Sequence, residues 1–583
     1  MISISENSNH EPAMERSFPR RMCISLFLLG LLLRASGLLF NGMHDLDQIL
    51  LEWGAAVNAI GLGHGYQGIY GVFTYAILGP AVWLSEFLPR FWWLPYKLIE
   101  ILFEIAILWT LYQILPPSRK HLPLFLYWLN PWFVVHGAWL GFWDGPHTLC
   151  GLLAVLAIVK LRRENLAWFL VGAAIMSSAF FKPQGAVFFL MPVVIYLSLR
   201  FLLHNHRGLA WFAIAAVLVA LVAFLAILVT GGGVWAIPAS YARLARIMPN
   251  LSNGSINIWR TVTSLLQTAL GQSGPSYTLV LPPMVLASIN MLAGAVTMFI
   301  VLALCCKAVF LEKRPIDDRL YGRVVLFSRL GGLALLLVFL GGLCHTSNAK
   351  THDWLLFGRY SWKFAKVLGV ILAAGSLAIA FARPLAILLR RFALKTKDLL
   401  YSDAVAIRAS QKLNAFGILF VLALPALVIP QLNTRMHINH AYAGLVLLIP
   451  FACAGRKIMT IWLILIAIHF YCHLLGYGLG RPSLFPSGDW EYVHAQALLE
   501  KIQTAAAAHP YHHLLAFHAT GVEVIRRCLL LNNLLPANAT VSVLSAVQFV
   551  CVIALLFRTF ASRLPGPDDG VLHTQSANRD RSA

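Results

Sequence analysis

Residues 209–230 read LAWFAIAAVLVALVAFLAILVT, a run with no ionisable side chain. At 1.5 Å of rise per residue such a run makes a helix about 30 Å long, the thickness of a bilayer's hydrocarbon core. A helix apolar on every face has no polar side to turn to water, so this stretch reads as a membrane span. It is not alone. Comparable apolar runs fall at roughly 23–40, 97–115, 122–138, 146–161, 165–181, 184–201, 279–306, 324–344, 366–382, 413–430, 441–455, 458–476 and 541–557. The stretch from 165 to 203 is too long for one span of about 20 residues, and Lys182-Pro183-Gln184-Gly185 breaks it into a hairpin. The reading is an all-α polytopic membrane protein of about 14 transmembrane helices.

Composition agrees. Of 583 residues 59% are hydrophobic and 12% charged, with a mean hydropathy of +0.73. That charged share is about half of what a soluble domain carries. The net charge of +21 comes from 45 Lys and Arg against 24 Asp and Glu. Its basic residues lie in short loops between apolar runs, which is the pattern of cytoplasmic loops rather than of nucleic-acid binding. Nine cysteines show no CxxC spacing, and the one close pair is Cys305-Cys306. They read as buried thiols rather than as a metal or disulfide framework.

The first apolar run follows Arg16, Arg20 and Arg21 and has no small-residue cleavage site after it, so it reads as a span with a cytoplasmic N-terminus. Segment 67–88 is apolar too, and charge decides its reading. With 67–88 as an interfacial helix, 28 of the 45 Lys and Arg fall inside and 15 outside, with Arg34 and Arg329 within spans. Making it a span would turn six basic loops outward against the positive-inside rule. The expected organisation is a cytoplasmic tail (1–22), a transmembrane bundle (23–476) with a large first outer loop (41–96), an outer segment (477–540), a last span (541–557) and a cytoplasmic polar tail (558–583). Outer loops at 231–278 and 345–365 and inner ones at 307–323 and 383–412 complete it.

On this topology the polar clusters fall on one face, the non-cytoplasmic one. The first loop carries HDLDQILLEWG (44–54) with Asp45, Asp47 and Glu52. A carboxylate at an apolar helix end can take a proton from a hydroxyl, and it can equally cap a helix. Asp144 in WLGFWDGPHT (139–148) has the same two readings, before Gly145-Pro146. Lys182 in FFKPQG (180–185) either snorkels to head groups or binds an anion at the interface. MPNLSNGSINIWR (248–260) offers Asn257 and Trp259, which read as a binding pair or as a loop with an interfacial anchor. RMHINH (435–440) brings Arg435, His437 and His440 to the outer start of a span. Arg435 is suited to gripping a phosphate, and neither His spacing nor a nearby cysteine makes a metal site there.

These clusters, in this order, resemble the GT-C superfamily of polyprenyl-phosphate-sugar-dependent glycosyltransferases. The nearest likeness is to the bacterial mannosyltransferase-like branch and the related eukaryotic dolichyl-phosphate-glucose enzymes. The matching positions are Asp47 with Trp53, Asn130-Pro131 of LNPW, Asp144, Lys182-Pro183-Gln184, Asn257-Ile258-Trp259, and Met436-His437. The likeness covers roughly 40–475. Departures are Pro80 alone where the family has Tyr-Pro-Pro, aromatic residues where it has Gln before the second Asp, and Ile438, Asn439 and His440 where it has Glu, Arg and Tyr.

The resemblance implies a multi-pass protein of a bacterial inner membrane whose site faces away from the cytoplasm. It implies transfer of a mannose-like or glucose-like hexose from a polyprenyl-phosphate donor to a glycan or glycolipid acceptor, with inversion and with no metal or cofactor. Asp47, Asp45 and Asp144 take the catalytic roles. Lys182, Gln184, Asn257, Trp259, Arg435, His437 and His440 contact substrate. Membrane lipids are the other partners, and no nucleic acid is expected. Two rival readings stand beside it. One is a transporter or flippase of a lipid-linked or glycan substrate, for which the mid-span ionisable residues Arg34, Glu100, Glu104 and Arg329 are few. The other is a non-catalytic glycan-assembly protein derived from the same family.

Overall fold

The computed structural model describes residues 19–39, 41–43, 46, 48–66, 68, 70–204, 207–233, 235–239, 257–269, 283–310, 413–432, 436, 438–477, 500, 504 and 537–561. These residues form helices and no strand. In chain order the longer ones are α1 (Arg20–Gly37), α2 (Ala55–Gly65), α3 (Val72–Phe87), α4 (Leu94–Ile114), α5 (Gly145–Lys160), α6 (Glu164–Phe181), α7 (Met191–His204), α8 (Gly208–Val229), α9 (Ile258–Ala269), α10 (Pro283–Phe310), α11 (Leu413–Leu432), α12 (Arg456–Tyr477) and α13 (Ala537–Ala561).

Among the described residues four helical stretches are long and apolar enough to cross a bilayer: Glu164–Phe181, Gly208–Val229, Arg456–Leu474 and Thr540–Phe557. Shorter apolar helices include Val72–Phe87 and Gly145–Lys160. The surface is that of a membrane protein. On α8, Ile214, Val217, Leu218, Leu221, Val222 and Leu225 face outward, exposed. Meanwhile Arg34, Lys97, Glu100, Glu104, Asp144 and Lys182 are buried in the bundle. A water-soluble fold has the opposite arrangement; in a bilayer, apolar side chains meet lipid and charges turn inward. The expected spans at 324–344 and 366–382, the basic loop at 383–412, all of the loop at 307–323 beyond Phe310, which ends α10, and nearly all of 477–540 lie outside the described residues.

Several expected spans are broken. The run 122–138 is two pieces, the wide turn Leu124–Trp128 and the segment Pro131–Trp139. Pro131 has no N–H to continue a helix, and Asn130 restarts it by accepting from Trp132 N at 3.0 Å. The run 441–455 likewise divides at Leu448, before Pro450. Segment 67–88 contains a helix, α3, with one side buried and Trp83, Leu84 and Phe87 exposed.

Contacts collect one set of helix ends together. Lys97 near the start of α4 donates to Gly37 O at the end of α1 (2.9 Å) and to Trp139 O (2.7 Å). Met43 N donates to Leu140 O at 2.7 Å, and Gly71 N to Phe181 O at 3.1 Å. A Cβ on Gly71 would come within 2.0 Å of Phe180 O, so only glycine lets the start of α3 reach the end of α6. At the opposite ends, Arg119 donates to Cys453 O. Buried indoles find partners as an apolar surrounding requires: Trp93 donates to Leu38 O at 2.9 Å, Trp143 to Thr74 Oγ1 at 2.8 Å and Trp462 to Leu445 O at 2.9 Å.

Candidate functional site: a buried carboxylate cluster

The collected helix ends surround Asp144. It precedes α5, the position of a cap, yet its side chain makes no capping bond. Lys182 Nζ donates to Oδ1 at 2.6 Å. His136 Nε2 lies 3.2 Å and Asn439 Nδ2 3.1 Å from Oδ2. His147 Nε2 stands 4.0 Å from Oδ1. Burial by itself would raise this carboxyl; the Lys182 ammonium and the His136 hydrogen bond outweigh burial and hold it well below the usual carboxylate range. Asp144 is an ionised group inside the protein, not a cap.

Backbone chemistry explains why Lys182 reaches it. Pro183 excludes the α conformation from the residue before it, so α6 stops at Phe181 and Lys182 is extended (φ −145°, ψ 130°). Its side chain is buried against Asp144, with the Tyr70 ring 5.5 Å from Nζ. It neither snorkels nor lies open at the surface. Wide helical turns follow it at Ala186–Leu190 and carry His136 at Val135–Trp139. Such turns re-aim side chains and recur at functional sites.

The histidines continue inward. His136 Nδ1 is 3.1 Å from His473 Nε2 on α12. His473 Nδ1 has two neighbours, the Trp132 indole N–H at 3.2 Å and the His469 carbonyl at 2.9 Å. His469 Nε2 meets Gln548 of α13 at 3.0 Å. On the other flank Glu100 Oε1 accepts from Gly145 N at 3.2 Å. A Cβ on Gly145 would fall 2.7 Å from that oxygen, and one on Gly137 only 2.0 Å from Glu104 Oε1. Both glycines therefore make room for carboxyl groups one turn apart on α4.

Of the residues expected from sequence, Asp144 and Lys182 are in direct contact, and Gln184 lies two residues on, 3.0 Å from His440 Nε2. His440 Nδ1 faces Met436 Sδ at 3.3 Å. Asn439, one of the departures from the family pattern, donates to Asp144. Asn257 and Trp259 do something else: Asn257 donates to Pro430 O at 3.2 Å and Trp259 to Leu432 O at 2.5 Å, docking the start of α9 on the end of α11. No described contact joins them to Asp144. Asp45, Asp47, Arg435 and His437 lie outside the described residues. Leu46, between the two acids, is fully buried beside Gly42 and Gly141.

Sequence reasoning missed His136, His147, His469, His473 and Lys97. Single histidines in apolar runs read as core. The one available signal was His469 with His473, four apart and so on one helix face. The charged interior is accordingly larger than the mid-span residues named from sequence. Among the described residues no group of three or more His, Cys, Asp and Glu is placed to hold a metal ion. Comparison with protein-family models, with curated proteins and with solved structures gives no match to this chain.

Proposed function

We propose that this protein is a membrane-embedded glycosyltransferase of about 14 spans that moves a hexose from a polyprenyl phosphate to a glycan or glycolipid acceptor on the non-cytoplasmic face. The observation that supports it best is a convergence: Asp144, Lys182 and Gln184, which match the family pattern, and His440, a polar residue of RMHINH that departs from it, lie at one cluster of helix ends. A carboxylate takes the proton of the acceptor hydroxyl while the phosphate leaves from the opposite face of the sugar. Asp47 and Asp45 in the first loop and Asp144 in the cluster are the candidates. Lys182 stabilises the leaving phosphate. An ammonium has three donors, and among the described residues its one hydrogen bond is to Asp144.

The buried charges favour a second reading. Arg34, Lys97, Glu100, Glu104, Asp144 and Lys182 together are the kind of interior network found along transport paths. One experiment separates the two. Purified protein in vesicles is given labelled polyprenyl-phosphate hexose and a glycolipid acceptor. A transferase makes a new glycosidic product. A flippase moves the label across the bilayer and leaves it on its lipid, and that result would replace the first reading by the second.

A further inference from the structure

The far end of the histidine chain holds a choice. Trp132 Nε1–H can only donate. When it donates to His473 Nδ1 (3.2 Å), His473 carries its proton on Nε2 and donates to His136 Nδ1, and His136 donates from Nε2 to the ionised Asp144. The carbonyl of His469, 2.9 Å from the same Nδ1, can only accept. When His473 Nδ1–H donates to it, every bond in the chain reverses: His136 donates from Nδ1 to His473 Nε2, and its own Nε2 accepts from a protonated Asp144. The second arrangement holds one proton more than the first. In each, His473 Nδ1 serves one of its two neighbours and gives up the other: the first leaves the His469 carbonyl without it, and the second leaves the Trp132 N–H facing another N–H.

We propose that His136 and His473 are the proton relay of Asp144, and that Lys182 sets which arrangement they adopt. With the ammonium on Oδ1, Asp144 stays ionised and both rings carry N–H at Nε2. When an anion draws Lys182 away, Oδ1 opens and the carboxylate has lost its cation. One proton then enters at Asp144 and both rings change tautomer together. This deepens the glycosyl-transfer reading and rests on it for the identity of the anion. There, the acceptor O–H gives up its proton as its oxygen bonds to the sugar carbon. The phosphate leaves with the electron pair of the broken C–O bond and takes Lys182 as its counter-ion. The proton ends on the Asp144 relay at the moment the relay can hold it.

The groups facing this unit come from several elements. Lys182 of α6 and His147 of α5 face Oδ1, Asn439 faces Oδ2, and Glu100 of α4 accepts from the residue next to Asp144. Around His136, Phe142 and Tyr442 stack at 4.7 and 4.5 Å, which shields the ring and fixes its plane. His469 faces Gln548 through Nε2 and bonds the relay through its carbonyl, its ring lying 6.4 Å from that of His473 and 5.4 Å from that of Trp132. The Arg34–Glu104 pair makes no hydrogen bond to either histidine among the described residues.

The test is ring-nitrogen NMR of the full chain in lipid nanodiscs with isotopically labelled histidine, signals being assigned with His136→Gln and His473→Gln. In the wild type both rings should carry N–H at Nε2 at neutral pH and switch to Nδ1 together, in one transition, on acidification. Lys182→Gln should move that joint transition to higher pH, and adding Asp144→Asn should abolish it. Rings that titrate separately, a transition unmoved by Lys182→Gln, or one that survives Asp144→Asn would overturn the relay. Should Lys182→Gln fail to fold, the joint wild-type transition alone decides. Polyprenyl monophosphate added to the wild type should reproduce the Lys182→Gln spectrum. If the mutant switches and the lipid has no effect, the relay stands and the phosphate role of Lys182 falls.

Discussion

Among the described residues two buried pairs of a Lys or Arg with a carboxylate lie in this bundle, and they are built differently. Arg34–Glu104 is closed in the sense that its hydrogen bonds go only to each other and to backbone carbonyls, while Arg34 Nη2 and Glu104 Oε1 are buried with no hydrogen-bond partner among the described residues. The guanidinium bonds Glu104 at 2.5 Å, Trp128 O at 2.5 Å and Gly30 O at 3.3 Å, and stacks 3.6 Å from the Trp128 ring. Its partners are helix α1, helix α4 and the turn between them and α5. Asp144–Lys182 is open. Its two charges reach on to His136, Asn439, His147 and Tyr70, which come from separate segments, several of them turns. The cost of burying each pair is of the same order. The first is used to join helices, the second to hold a carboxylate ionised with donors around it.

Breaking the closed pair on one side should have the largest effect on stability. Arg34→Met leaves Glu104 buried without a counter-ion, which costs about 3–5 kcal/mol. Replacing both partners, as Arg34→Met with Glu104→Met, should recover most of that loss, since no buried charge is then left over. Thermal unfolding in detergent, single against double variant, reads this. A double variant no more stable than the single one would mean the pair is not closed.

The open pair should show itself through pH. The Asp144 carboxyl is held below its ordinary value, so the folded state binds its proton less readily than the unfolded chain. The resulting stabilisation is complete above the unfolded value, about 4, and is lost as pH falls through the lower folded one. Asp144→Asn should remove that acid-side loss, and Glu104→Gln should leave it in place. Unfolding midpoints followed from neutral pH down to about 3 test the contrast.

The smallest effect is expected away from both pairs. Trp259→Phe removes the bond to Leu432 O and should cost about 0.5–1.5 kcal/mol. It should leave the Asp144 cluster unaltered, as judged by an unchanged histidine NMR spectrum. A shifted His136 signal would show that the α9 docking site and the cluster are coupled.

Sequence made the membrane class legible because hydropathy acts over whole runs: α8 could be nothing but a span in length and composition. It also marked Asp144 and Lys182, because an ionisable residue at the edge of an apolar run is costly and so conspicuous, and the family resemblance added Gln184. It left capping open for Asp144 and snorkelling open for Lys182, since both alternatives depend on where a side chain points. Pro183 decided that for Lys182 by forcing an extended backbone. The histidines were silent for a different reason. A relay is a property of ring orientation across three segments, and His136 and His473 are 337 positions apart in sequence. The broken run at Asn130-Pro131 was readable from the proline; the wide turn that aims His136 had no marker in composition.

The division between a structural pair and a working one is tested most directly by glycosyl transfer in the two double variants. Both Arg34→Met/Glu104→Met and Asp144→Asn/Lys182→Met should fold, because neither leaves an unpaired buried charge. Purified and matched for folded protein, each is assayed for hexose transfer from a polyprenyl phosphate. The first should keep transfer near the wild-type rate. The second should lose roughly 10²–10⁴-fold, the scale of a lost proton-transfer group. Wild-type transfer by the Asp144→Asn/Lys182→Met protein, with transfer lost in the other, would contradict the assignment of the site.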